Sequence, residues 1–281
     1  MKTKTLLSVA VSGVLMAAAA TSAQATTFYF NAYGGWINGS ASASFPNPTY
    51  SGTEASGSAL PANAPQNLPA GLNNDLIWGT AQGSGGPFAG RSGAGINDNL
   101  PAGTGIGHMV QGDTVVGVAQ PTLLGTLTHY NEPINEAFQG TAKVRYFFDV
   151  YADPGKTTLI KSIDSSSFGD FLINFTETPN VAGTCPAGSV SVCDDIFSFG
   201  PASATDSFTY LGQNYNVTLS GFYDALTLQN LTGQFLSPEG GSNVGFVGVV
   251  TVPEPATLAL MGLGLLGMGL SVRRRKQPEI V

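Results

Sequence analysis

The chain has 281 residues, a formal net charge of −7 and only 10% charged residues, set against 37 glycines and 17 prolines. An acidic chain so poor in cations is unsuited to nucleic acid or to anionic lipid, because both recruit clustered Lys and Arg. Its Gly, Pro, Ser, Thr and Asn content, with no long Ala/Leu/Glu/Lys segment between the two ends, points to an all-β body.

In chain order, Lys2 and Lys4, the apolar stretch Leu6–Ala20 and Ala23-Gln24-Ala25 make the charged, apolar and small-residue parts of a secretory signal peptide over 1–25. Cleavage is predicted after Ala25. The secreted body then runs over 26–251. Strands are predicted at Thr27–Tyr33 and Leu76–Trp78, while 39–71 and 79–107 are rich in Gly, Ser, Pro and Asn and read as loops. Further strands are predicted at Thr114–Val118, Leu123–Thr128, Ala142–Tyr151, Asp170–Thr176 and Ile196–Phe199. Ser207–Leu211 and Tyr215–Gly221 flank Gly212-Gln213-Asn214 as a hairpin, and Leu226–Leu228, Thr232–Leu236 and Gly245–Val250 complete the body. Short strands at this spacing predict an antiparallel β-sandwich, jelly-roll-like in character.

The two cysteines, Cys185 and Cys193, lie eight positions apart in an exported chain, which reads as one disulfide. A redox pair would need Cys-x-x-Cys, and a zinc site would need further Cys or His nearby.

The C-terminus has three parts: Pro253-Glu254-Pro255, an uncharged run over 256–272, and Arg273-Arg274-Arg275-Lys276, followed by a short tail over 277–281. The prolines impose an extended backbone, and the run, as a helix, reaches roughly 25 Å. The cation cluster marks the cytoplasmic end of a transmembrane helix. In this order and at this end, 252–276 resembles the PEP-CTERM sorting signal of Gram-negative bacteria. The resemblance implies export through the Sec translocon, a transient hold in the inner membrane and processing by exosortase. It then implies a place at the cell surface or in the extracellular matrix. Without both ends the body has five cations and sixteen acids, a net of about −11.

Inside the body, Thr128-His129-Tyr130-Asn131 resembles the Thr-His-x-Asn signature of a group of PEP-CTERM proteins, and Ile77-Trp78-Gly79 with Arg91-Ser92-Gly93 matches a Trp-Gly…Ser-Gly pattern of the same group. The resemblance implies no reaction. Thr and Asn can bond local backbone, Pro133 forces a turn, and the imidazole of His129 suits a buried corner or, alternatively, a sugar or cation.

A catalytic set is not evident in the sequence. His108 is the other histidine; Gly-x-Ser-x-Gly and His-Glu-x-x-His do not occur, and two histidines make a zinc site only where carboxylates join them. No metal or cofactor is expected. Asn73-Asn74-Asp75, Asn97-Asp98-Asn99 and Cys193-Asp194-Asp195 could offer oxygens to Ca²⁺, but they lack the EF-hand or RTX spacing and read as turns. The expectation is a non-enzymatic surface or matrix protein, structural or adhesive, associated with exopolysaccharide in biofilm or floc. The alternative is a carbohydrate-binding module stacking sugars on Trp36, Trp78 or tyrosines. A glycoside hydrolase or lyase is the less favoured third reading.

Overall fold

The structure, a computed structural model, describes residues 26–53, 67–98, 100, 105–106, 108–115, 122–178, 194–199, 204–223, 234–238 and 242–251. Ala25, Cys185, Cys193, the predicted strand 226–228 and everything from Val252 onward lie outside these residues, including Pro253, Glu254, Pro255 and Arg273, Arg274 and Arg275. Among the described residues no helix is long and apolar enough to cross a membrane, and the predicted span 256–272 is not among them.

The chain from Thr27 to Thr251 forms one compact unit of antiparallel strands. In order these are β1 (Thr27–Ile37), β2 (Thr49–Ser51), β3 (Leu72–Asn73), β4 (Asp75–Trp78), β5 (Ser92–Ile96), β6 (Gly105–Ile106), β7 (Met109–Val115) and β8 (Thr122–Tyr130). They continue as β9 (Phe138–Tyr151), β10 (Leu159–Asp164), β11 (Phe171–Glu177), β12 (Asp195–Phe199), β13 (Ala204–Tyr210), β14 (Gln213–Tyr223), β15 (Gln234–Ser237) and β16 (Ser242–Thr251). One sheet runs β15-β12-β11-β9-β1-β7-β6, with β10 also on β9 and β3 on β1; the other runs β13-β14-β16-β8-β5-β4-β2. The predicted all-β, antiparallel class is what forms.

The two sheets share a core. Trp36, Val144, Phe171, Phe175 and Phe197 of the first pack with Leu76, Trp78, Ile96 and Leu127 of the second. The alternation is legible in β9, where Val144, Tyr146, Phe148 and Val150 are buried and Lys143, Arg145, Phe147 and Asp149 are more exposed, as period-2 geometry requires. This long strand pairs with β1 along one edge and, along the other, first with β11 and then with β10. At the handover the Ser165 hydroxyl accepts from the Tyr146 N–H at 2.9 Å, and Arg145 grips Asp170 with two bonds of 2.9 and 2.8 Å.

Three differences from the sequence reading have physical causes. β1 runs four residues past the predicted end, straight through Gly34-Gly35. A Cβ on Gly34 would lie 2.7 Å from the Arg145 carbonyl oxygen, so glycine serves close strand approach there and does not break the strand. The Gly-rich stretch 79–107, read as loop, contains the fully buried strand β5. The hairpin between β13 and β14 turns on Leu211-Gly212, with φ of 49° and 77° and Tyr210 opposite Gln213, the both-positive geometry that matches strand twist.

Phe175 sits where rings of both sheets meet, with centroids 4.9 Å from Phe197, 5.1 Å from Phe45, 5.3 Å from Trp78 and 5.7 Å from Trp36. Phe175→Ala should cost about 3–5 kcal/mol through lost contacts and the cavity left behind. Denaturant unfolding should show a lower midpoint with an unchanged slope.

Candidate functional site

β8 lies between β5 and β16, with His129 opposite Ala94 on one side and Ser242 on the other. Its side chain enters the space between the sheets and is fully buried, at 0% exposure. The ring lies almost parallel to Trp78 of β4, 9° apart with centroids at 5.5 Å, and meets Phe197 of β12 at 4.5 Å. Burial drives its pKa down to about 3, so the imidazole is neutral.

The polar partners come from strand ends of the opposite sheet. His129 Nδ1 is 2.7 Å from the Ser237 hydroxyl at the end of β15, and Nε2 is 3.9 Å from Asp195 Oδ2 at the start of β12. The Thr178 N–H donates to Asp195 Oδ1 at 2.8 Å. At the end of β11, Glu177 Oε2 accepts from the Trp78 indole N–H at 2.9 Å. Asn131, just beyond β8, donates through Nδ2 to the Ser237 carbonyl at 3.2 Å. One ligand atom from each of His129, Glu177 and Asp195 falls within 4.8 Å of the others, and all three residues are buried. A hydroxyl, an imidazole and a carboxylate in line match a nucleophile set in composition. Ser237 and His129 are both at 0% exposure, so that hydroxyl is closed to solvent.

The fold brings the three sequence patterns together. Trp78 is registered opposite Ser92, and Gly93 opposite Tyr130. The Ser92 hydroxyl donates to the Glu132 carbonyl at 2.8 Å and accepts the Glu132 N–H at 3.2 Å, closing the bend after Asn131. Thr128 is buried on β8. Trp36 and Trp78 are not sugar platforms: at 0% and 1% exposure their faces are covered by the core, which corrects that part of the carbohydrate-binding alternative and leaves its tyrosines.

A second cluster lies near the rim. Asp75 accepts from the Ser51 hydroxyl at 3.0 Å, and His108 Nδ1 is 3.4 Å from Asp98. Burial first, and then the Asp98 charge, push the Asp75 carboxyl up to about 7. The Asp98 carboxylate holds the His108 imidazole above its usual value.

The family described as the PEP-CTERM protein-sorting motif matches residues 251–276. The chain carries a PEP-CTERM sorting motif. That motif implies exosortase-dependent sorting and processing, with export, transient membrane anchoring and then a surface or extracellular location. No curated protein shows significant similarity to the chain. In the body ahead of this sorting motif, Glu177, Asp195 and Ser237 are the site residues that sequence reasoning did not single out as a site; Asp195 was read as part of a turn.

Two predictions follow from these environments. Ser237→Ala removes only the hydroxyl and strands the buried His129 Nδ1, which should cost about 1–3 kcal/mol in chemical unfolding. The Asp75 and His108 shifts both mean that the folded state binds protons more tightly than the unfolded chain. The Asp75 contribution is therefore fully present below about pH 4 and is lost as the pH climbs through about 7, and that of His108 is fully present below about pH 6.5 and is lost above it. Asp98→Asn should flatten that fall when unfolding midpoints are compared from pH 4.5 to 7.5. His129, whose lowered pKa gives the opposite slope, is common to both proteins and cancels in the comparison.

Proposed function

We propose that the processed body is a structural or adhesive component of the extracellular matrix, associated with exopolysaccharide in biofilm or floc. The observation that carries this reading is the position of the sorting motif, at 251–276, directly against the end of β16 at Thr251. β16 is an interior strand, flanked by β14 and β8. Pro253 and Pro255 have no N–H to donate to a ladder, which disfavours extending a strand through the motif. Cleavage near the Pro-Glu-Pro triplet thus releases a body that keeps β16 from Ser242 to Thr251. The inward placement of His129, Glu177 and Asp195 supports a scaffold role over an open reaction cleft. The body's acidic balance disfavours direct charge pairing with an anionic polymer, so association would work through neutral polar contacts or bridging cations.

Intact mass of the protein recovered from outside the cell tests the sorting step: the expected product ends near residue 253, and a species retaining 256–281 would refute processing. Deleting 252–281 should leave the protein out of the matrix fraction while wild type accumulates there. Equal partition of the two would remove the matrix role.

A further inference from the structure

We propose that His129 Nε2, one carboxylate oxygen of Glu177 and one of Asp195 bind a divalent transition-metal ion of the zinc class. The inference goes beyond the matrix role and does not depend on it. The three ligand atoms lie within 4.8 Å of one another, wholly inside the protein. His129 Nε2 is buried and has no hydrogen-bond partner among the described residues, and it faces Asp195 Oδ2 across 3.9 Å. That gap is too long for a hydrogen bond, whereas an ion with bonds of about 2.0–2.2 Å to both nitrogen and oxygen can bridge it.

Ring orientation agrees. In the tautomer whose Nδ1–H donates to the Ser237 hydroxyl, 2.7 Å away, the neutral imidazole turns the lone pair of Nε2 toward the carboxylates. A lone pair aimed at an anion is repulsive unless a cation lies between them. Each carboxylate is also steadied by a donor on its other oxygen, Glu177 Oε2 by the Trp78 indole and Asp195 Oδ1 by the Thr178 N–H. Metal ligands are commonly held by such outer partners. An imidazole in the set favours zinc and its neighbours over calcium or magnesium, which prefer all-oxygen surroundings. The ion would tie β8 of one sheet to β11 and β12 of the other.

Full-length protein purified in detergent is stripped with a chelator and titrated with Zn²⁺, reading metal content and thermal unfolding. Expected are about one equivalent bound and a Tm rise of roughly 5–10 °C at a hundredfold excess over Kd. Co²⁺ should give visible bands of a nitrogen- and oxygen-ligated ion. Glu177→Gln with Asp195→Asn keeps an acceptor for both Trp78 and Thr178 while removing the charge, and should weaken Zn²⁺ binding at least tenfold. Wild-type Tm and metal content indifferent to Zn²⁺ and chelator would overturn the proposal. So would zinc binding unchanged in the double variant, or an equal Tm rise with Ca²⁺.

Discussion

Two indole N–H groups tie the sheets together, and they do so reciprocally. Trp36 sits in the first sheet and donates to the Ala94 carbonyl of β5 in the second, at 2.7 Å. Trp78 sits in the second sheet and donates to Glu177 at the end of β11 in the first. A fully buried indole must find an acceptor, and neither ring can slide or rotate without orphaning its own N–H. The facing register of β1 over β5 and of β4 over β11 is thereby fixed. Everything at the His129 corner depends on that register: the ring that stacks on His129 is the same ring that holds Glu177.

The second constraint is space. β5 carries little side-chain bulk, Ser-Gly-Ala-Gly-Ile, yet every residue in it is buried. A Cβ on Gly93 would meet the Phe88 ring at 2.5 Å, so the thin strand allows loop and neighbouring sheet to close over it from both sides. Trp36 can approach the Ala94 carbonyl because little stands in its way. Bulk removed from β5 is what admits two indoles and an imidazole to the same layer.

Much of this was legible in the sequence, and the failures are specific. The strong alternation of β9 and β11 placed both correctly to within a few residues. β5 was missed because periodicity reasoning weighs side chains, and a strand built to be thin has few of them. The His129 corner was half legible. In β11 the inward parity of Phe171, Ile173 and Phe175 continues to Glu177, so an acid on a buried face was visible one step beyond the predicted end. Asp195 and Ser237 were not accessible in this way, since their approach to His129 spans 66 and 108 positions and depends on β12 and β15 adding to the far edge of the first sheet. No local pattern encodes that.

The few cations of the body illustrate how a chain with little charge spends it. Arg91 reaches from just before β5 to the Gly79 carbonyl at 3.0 Å, the Thr49 hydroxyl at 2.9 Å and the Asn47 carbonyl, fastening the ends of the paired strands β2 and β4. Arg145 closes on Asp170, which is held at a φ of 48°, a conformation that needs outside support in a non-glycine residue. That grip fixes the point at which one edge of β9 passes from β10 to β11. Lys161 lies 3.7 Å from Asp206, bringing charge of opposite sign to β10 and β13, which belong to different sheets. With five cations against sixteen acids in residues 26–251, the sign of the body's long-range field is set by its carboxylates whatever the cations contact.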